Sequence, residues 1–577
     1  MRGSPMNNAE IAKVFEDIAD FLELKGENVF KIRAYQRAAR AINHLPKEIE
    51  VMVGLGEDLK AIPGVGEAIA RKITELLTTG KLEYYEKLRA EFPPGISTLL
   101  TIPGIGPKTA MKLSSELGIQ SIDELEQAIK DGRVAGLFRM GDRTAENILR
   151  QIQMVRHKDM RIPIGEAQPI VDHIIDALKT IPGVKNLTPA GSVRRFKETV
   201  GDIDLMGTAD DPEAVILAFV RLPLVKQVLG QGPTKASVIV TNGLQVDLRF
   251  VEHDSFGSLL QYFTGSKEHN IILRERAVKQ GLKLSEYGIT DRTTDRLEKF
   301  ASEEAFYRRL GLQYIPPEIR EAMGEIERAE QGTIPELVEL SDIRGDLHVH
   351  TDWSDGQNTL EEMANAAIKL GYEYLLITDH SAGLGVAHGL DRERLNRQLE
   401  EIAALNRRFS GFRLLAGAEV DIRADGRIDA PEDMLSRLDV VVGAVHSSMG
   451  QSKERITRRI LGAISNPHID IIAHPTCRLI GEREPSEVDL EAVFRAAVEH
   501  GKALEINAMP SRLDLKDIHA YRARELGVKL VISTDAHQAE HLQLMRFGVG
   551  VARRAWCEAE DILNTRPLAE FLSALRR

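Results

Sequence analysis

GSVRRFKETVGDID, residues 191–204, decides how this 577-residue chain is read. A glycine-serine turn leads into two adjacent arginines and then two aspartates one residue apart, Asp202 and Asp204. Ile203 and Leu205 interleave with them, the pattern of a half-buried strand. Side chains two apart on a strand share a face, so both carboxylates project together. A second alternating run, LQVDLRF at 244–250, carries Asp247. If the two strands are neighbours, three carboxylates converge, and their repulsion calls for a cation. An all-carboxylate set suits a hard ion such as Mg²⁺. Two such ions about 3.5–4 Å apart stabilise the attacking and leaving oxygens of phosphoryl transfer. The preceding turn fits that chemistry. Gly191 lets backbone approach a ligand, Ser192 adds a hydroxyl and an N–H, and the planar fork of Arg195 suits a triphosphate. A surface turn beside a solvated strand face is the bland alternative, and the combination of features argues against it.

The same residues resemble the palm of a family X DNA polymerase, in the nucleotidyltransferase superfamily. The resemblance implies that Asp202, Asp204 and Asp247 hold Mg²⁺ and that Asp247 assists deprotonation of the primer 3′-OH. It also implies that Ser192, Arg195 and Gly201, together with Gly191, line the site of the incoming dNTP. Arg161, in RIPI at 161–164, matches an arginine that reaches the triphosphate. YFTGS at 262–266, with Tyr262, Phe263 and Gly265, resembles the segment beside the nucleotide sugar, and Asn270 falls where the family contacts the base. Two positions depart from animal relatives: Gln245 replaces an arginine, and Lys267 an acidic residue.

A chain of this length exceeds one hydrophobic core and should form several domains. Its 43% hydrophobic and 28% charged residues are ordinary for globular protein. No apolar run approaches the ~20 residues of a membrane span, and no signal peptide is visible. Cys477 and Cys557 are the only cysteines and lie far apart, which argues for a reducing cytoplasm and against a disulfide framework. The net charge of −12 does not advertise nucleic-acid binding. Residues 1–160 are nevertheless about balanced, so the acidic excess lies later, partly in the clustered carboxylates.

The amino-terminal segments read as helical, with apolar residues at i, i+3 and i+4 in VFEDIADFLEL and RAYQRAARAINHL. Two near-copies follow, AIPGVGEAIARKI and TIPGIGPKTAMKL, each apolar-Pro-Gly-apolar-Gly before a helix. Gly64 and Gly66 in the first, and Gly104 and Gly106 in the second, permit a tight turn that presents helix amino-terminal N–H groups. Such a turn binds a DNA phosphate without reading sequence. The copies resemble helix-hairpin-helix motifs; a third stretch, GLFRMGDRTAENI, reads as a plain hairpin. The first hairpin domain also resembles the family's lyase domain. Lys72 falls where the family has a Schiff-base lysine, with Lys31 and Tyr35 at supporting positions. Ala68, Arg71 and Tyr84 replace polar or basic residues there, which leaves phosphate contact as the alternative role of Lys72.

The carboxy-terminal third carries a second, independent signal. Short apolar runs end in metal-binding residue types: His348, His350 and Asp355 in GDLHVHTDWSDG, His380, Glu419, His446, His474, then Asp535 and His537, with Glu505 in ALEINA. Helical stretches separate the runs, which predicts a parallel sheet and, with this many units, a barrel. Functional groups of such barrels gather at the carboxyl ends of the strands. A mixed His/Asp/Glu set suits Mn²⁺, Zn²⁺ or Fe²⁺ better than Mg²⁺, and clustered ions with open positions favour phosphoester hydrolysis. His388, His468, His500 and His519 lie outside this pattern. The run resembles a PHP domain (polymerase and histidinol phosphatase type), implying a distorted (β/α)7 barrel, Mn²⁺ or Zn²⁺, and, next to a family X polymerase, 3′→5′ exonuclease with AP-endonuclease or 3′-end cleaning activity.

The expected organisation is multidomain α/β. It comprises helical helix-hairpin-helix domains over 1–90 and 91–160, an α+β palm over 161–256, a thumb over 257–316, a linker over 317–341 and the PHP barrel over 342–577. The expected function is short-gap filling on gapped or nicked DNA with dNTPs, by a cytoplasmic monomer. A PHP nuclease whose polymerase-like part only clamps DNA is the rival reading.

Overall fold

The computed structural model of the protein describes residue 6 and residues 8–43, 45, 49–54, 56–62, 64–93, 95–100, 102, 105, 107–134, 136, 141, 145, 148–149, 152, 161–383 and 387–575. The chain divides into two compact units, Met1–Met160 and Arg161–Arg577.

The first unit is helical. Helices Asn8–Leu24 and Val29–Asn43 pair through Ile11, Phe15, Ile18, Ala38, Ala39 and Ile42, all fully buried. Two small alanines among the larger apolar groups let these helices approach closely. Helix Glu67–Thr79 starts at Gly66 and ends on left-handed Gly80, whose N–H caps the Leu76 carbonyl. Gly64 has φ +84°, which favours glycine on backbone grounds, and a Cβ there would lie a tight 3.3 Å from the Arg37 Cβ. Helices Ile96–Leu100, Pro107–Leu117 and Ile122–Lys130 follow. The expected boundary near residue 90 does not separate two cores: Leu88, Ile96, Leu99, Leu113 and Leu125 join one apolar cluster with Phe15 and Ile73.

The second unit opens with a five-stranded mixed sheet. Its order is Val184–Pro189, Asp202–Ala209, Gln245–Phe250, Lys235–Val240, Val225–Gln231. The central pair, Asp202–Ala209 and Gln245–Phe250, is parallel; the other pairs are antiparallel. Ile203, Leu205, Val246 and Leu248 are buried on the face covered by helices Ile164–Lys179 and Pro212–Phe219. The aspartates therefore point away from this core.

Helices Phe256–Thr264, Lys267–Lys279 and Glu303–Arg309 and a three-stranded antiparallel sheet follow. The expected linker over 317–341 is a correction. Ile319, Arg320, Glu321, Glu325 and Ile326 are buried, and the two isoleucines share a core with Leu273 and Tyr307. Its buried charges are paired internally: Arg320 donates to Glu303 at 2.6 Å, and Glu325 accepts from the ring of His269 at 2.7 Å.

The carboxy-terminal part is a seven-stranded all-parallel sheet in sequential order, from Gly345–Val349 through Tyr374–Ile377, Arg413–Asp421, Val440–Ala444, Ile471–Ile472 and Ala503–Asn507 to Lys529–Ser533. The His350 N–H donates to the Ala536 carbonyl at 2.8 Å, bringing the first strand to the end of the last and nearly closing a barrel. Most strand positions are buried on both faces, as parallel strands covered by helices require. No helix among the described residues is long and apolar enough to cross a membrane.

Candidate functional site

The palm register pairs Asp204 with Asp247 and Asp202 with Gln245 on adjacent parallel strands. The three carboxylates thus share one face. Burial, then repulsion from Asp202 and Asp247, raises the Asp204 carboxyl to about 7. Asp247 accepts from the Ser237 hydroxyl and, at 2.8 Å, from the Gln245 amide. Gln245 thus orients the third carboxylate through a neutral bond. Gly191 has φ +55°, and a Cβ there would stand 2.9 Å from Asp204 Oδ2, so the turn fits against the carboxylate only as glycine. The Ala190 N–H donates to the Asp204 carbonyl at 2.8 Å and ties turn to strand. A crowded carboxylate set with a raised proton affinity fits divalent cations.

The other candidate residues lie on the turn and helices that follow or precede these strands. Ser192 sits in the short helical turn Gly191–Arg194, and Gly201 is buried just before Asp202. Arg161 is pinned by its Nε to the Thr199 hydroxyl at 2.9 Å and by Nη2 to the Thr199 carbonyl. Arg195 is largely buried: Nε donates to Glu321 at 3.1 Å and Nη1 to the Thr264 carbonyl at 2.5 Å. Gly265, at φ +71°, passes within 3.2 Å (Cβ position) of that guanidinium. Tyr262 and Phe263 meet edge to face at 5.3 Å, each with an arginine over its ring, Arg274 and Arg249 respectively. Asn270 is buried, donating to the Tyr262 carbonyl and accepting from the Gln261 amide, both at 2.8 Å. Both ends of its amide are engaged within the protein.

In the barrel, three groups of side chains present donor atoms close enough to share an ion: His350, Asp355, His380 and His537; His348, His350 and Asp535; and His380, Glu419 and His446. His474 joins through Glu419, its Nε2 3.2 Å from Oε1. Glu419 is the hub. Its Oε2 lies 3.3 Å from His348, 3.5 Å from His350 and 3.1 Å from His380, and its Oε1 3.1 Å from His446. Burial opposes its charge, yet the His446, His348 and His380 rings hold its carboxyl well below the usual range. Buried ring nitrogens of His348, His350, His446 and His474 find no hydrogen-bond partner among the described residues. Orphaned imidazole nitrogens facing carboxylates fit metal ions.

Two carboxylates act behind this set. Glu505 accepts from His348 Nδ1 at 2.8 Å and from the His474 N–H at 2.7 Å, leaving His348 Nε2 directed at the centre. Asp421 accepts the His446 N–H at 3.1 Å. Sequence reasoning missed Asp421, although it stands two residues after Glu419 on one strand. It also missed Arg512, whose Nε is 3.4 Å from Asp535, because an irregular segment carries it.

In the first unit, Lys72 is half-buried with its ammonium 4.8 Å from the Tyr84 ring centre. Burial, with Arg71 and Lys31 nearby, lowers its proton affinity against the opposing pull of Glu75. Tyr84 also stacks on Tyr35 at 6.2 Å and lies under Lys31 at 5.9 Å. Gly104 and Gly106 lie outside the described residues.

Comparison with known proteins bears on both halves. Residues 6–82 match the helix-hairpin-helix domain family, and 96–154 the SAM-like helix-hairpin-helix tandem. Residues 259–321 match the DNA polymerase beta thumb, and 346–509 the PHP domain. A probable phosphatase of Thermoanaerobacter sp. is 31% identical over 246 residues, 40% of this chain and 95% of its own length. Another, from Caldanaerobacter subterraneus, is 32% identical over 204 residues, 33% of this chain and 75% of its own. The DNA polymerase/3′-5′ exonuclease PolX of Bacillus subtilis is 41% identical over 574 residues, 99% of this chain and all of its own. An alignment of that extent takes in both halves and the palm between them, and the chain belongs to the PolX family of bacterial family X DNA polymerases.

Proposed function

We propose that the chain is a DNA polymerase with a 3′-5′ exonuclease that fills short gaps in DNA repair, lengthening primers in the palm and shortening or cleaning 3′ ends in the barrel. The observation that carries this reading is the convergence of Asp202, Asp204 and Asp247 beside the Gly191 turn, in a chain related to PolX along its whole length. The substrates are dNTPs and gapped or nicked DNA, with Gly64, Gly66, Gly104 and Gly106 at phosphates of the flanking duplex. A cytoplasmic location fits the unpaired, buried cysteines Cys477 and Cys557, and the proposed acting form is a monomer.

Asp202, Asp204 and Asp247 would hold Mg²⁺, and the nine barrel residues from His348 to His537 would hold Mn²⁺ or Zn²⁺; ions bound there would supply charge neutralisation of phosphoryl oxygens and activation of an attacking oxygen. In the palm, Arg195, Arg161 and the Gly191–Ser192 backbone orient the triphosphate, and Tyr262, Phe263 and Gly265 border the sugar. Asn270 acts through its grip on the Tyr262 carbonyl. Asp247 receives the 3′-OH proton, with Gln245 and Ser237 holding the carboxylate in place. In the barrel, Glu505 holds the His348 tautomer and Asp421 fixes the backbone at His446.

A gel assay on a 5′-labelled primer bordering a short gap tests the division of labour, with and without dNTPs, in Mg²⁺ or Mn²⁺. Asp202→Ala/Asp204→Ala is expected to lose only lengthening and His348→Ala/His350→Ala only shortening. Wild-type protein that never lengthens a primer is instead a PHP nuclease with a DNA clamp. For the first unit, lyase chemistry at Lys72 is expected to appear as borohydride trapping on a 5′-deoxyribose phosphate end. Trapping should fall at least about tenfold in Lys72→Ala, since the Schiff base needs a nucleophilic amine at that position. Equal trapping in both proteins assigns Lys72 to phosphate contact.

A further inference from the structure

The segment that joins the Gly191 turn to Asp202 is seated in the PHP barrel at three points. The first is ionic. Arg554, on barrel helix Met545–Arg554, is almost fully buried. Its Nη1 donates to the Arg195 carbonyl at 2.7 Å and to Glu321 at 3.0 Å, and its Nε donates to Asp517 at 2.7 Å. Glu321 is the carboxylate that accepts Arg195 Nε, so one barrel arginine holds both the backbone of Arg195 and the partner of its side chain. The second point is Glu198, 2.8 Å from Arg478 and 3.5 Å from Lys516. The third is apolar. Phe196 stands 5.9 Å from the Phe547 ring, and a Cβ on Gly550 would fall 2.0 Å from it. Phe196 itself has φ +56°, a left-handed conformation that a non-glycine residue keeps only where its surroundings dictate it.

We infer that the PHP barrel is a positioning element of the polymerase site: Arg554, acting through Glu321 and the Arg195 carbonyl, sets the Arg195 guanidinium for the triphosphate. This rests on the reading of the Gly191 turn as the dNTP site. The charge balance explains the effect. Glu321 is shared by Arg195, Arg554 and, at 3.9 Å, Lys197. With Arg554 in place, the carboxylate is divided, and the Arg195 fork keeps donors for an incoming anion. Without it, Glu321 draws on Arg195 and Lys197 alone and competes with the triphosphate. Arg195 is also freed from its backbone anchor. A shared electrostatic partner makes the two arginines energetically coupled rather than independent.

The test uses the full chain in four forms: wild type, Arg554→Lys, Arg195→Ala, and the double variant Arg195→Ala/Arg554→Lys. Glu198→Gln, at a partly exposed position, is a fifth form that reports on the junction with less burden on folding. Single-nucleotide incorporation on a gapped duplex gives kcat and KM for dNTP; shortening of a labelled single strand reports the barrel. Arg554→Lys is expected to raise KM for dNTP about tenfold, with kcat and shortening within about twofold. The double variant is expected to match Arg195→Ala, and Glu198→Gln to raise KM about threefold. An unchanged KM in Arg554→Lys and Glu198→Gln overturns the inference, as does a double variant whose loss is the product of the single losses. Parallel falls in lengthening and shortening with a lower Tm in both variants also overturn it, leaving the junction as structural cement. Wild-type protein that incorporates no dNTP instead defeats the reading of the turn as a nucleotide site, and the inference with it.

Discussion

Glu419→Ala is expected to reduce primer shortening about a thousandfold or more while leaving primer lengthening within about twofold. Glu419 is the one carboxylate that meets both halves of the histidine set. Oε2 faces His348, His350 and His380, and Oε1 faces His446 and His474. Removing it leaves five imidazoles gathered without their central anion, so the cluster loses charge balance and a carboxylate that would help to hold ions. A thousandfold loss corresponds to about 4 kcal/mol of transition-state stabilisation, the scale expected when bound ions are lost or displaced. The palm should be spared because Glu419 lies on a barrel strand and belongs to none of the three contacts with the Gly191–Asp204 segment. The gel assay, run with metal analysis of the purified protein, measures both consequences. Retained shortening with full metal content would sink the assignment of hydrolysis to this cluster.

What could be read from sequence, and what could not, follows from how local each determinant is. Alternation of Ile203 and Leu205 with Asp202 and Asp204 predicts the strand and its two faces, and burial follows that pattern. The register is another matter. Pairing Asp204, not Asp202, with Asp247 depends on packing between strands some forty residues apart, where a one-residue slip would turn every side chain to the other face. The barrel residues were legible because parallel strands deliver their carboxyl ends to one rim, so each histidine could be placed from its own strand. Their supporting groups were less so. Glu505 was visible as a residue type but not as the partner of His348, since 157 positions separate them. Glu321 was hidden more completely: its segment reads as a charged linker, and only the folded chain reveals that this carboxylate is buried between Arg195 and Arg554. Charge content predicts exposure only while the charges lack partners.

Asp204→Asn is expected to abolish lengthening, by about a thousandfold or more, and yet to stabilise the metal-free protein above neutral pH. Both effects have the same origin. Burial and the neighbouring Asp202 and Asp247 raise the folded-state value to about 7 from an ordinary 3.8. Below about pH 4 the carboxyl is protonated in folded and unfolded chains alike, and it carries no penalty. Between about 4 and 7 the unfolded chain releases the proton while the folded chain retains it, so stability falls as pH rises. Above 7 the anion is forced into the site and the penalty is complete, on the order of a few kcal/mol. Asparagine is neutral at every pH and removes that penalty. In a chelator, the Tm of Asp204→Asn should therefore exceed wild type at pH 8, and the difference should close towards pH 4. Adding Mg²⁺ at pH 8 should raise the wild-type Tm and narrow the gap, because an ion that binds only the folded state stabilises it by mass action. Should Asp204→Asn prove no more stable than wild type at pH 8 without metal, the three carboxylates do not repel one another as their register requires. The loss of lengthening would then need a cause other than the loss of a cation site, because the electrostatic strain that the ions relieve is the same strain that makes the site bind them.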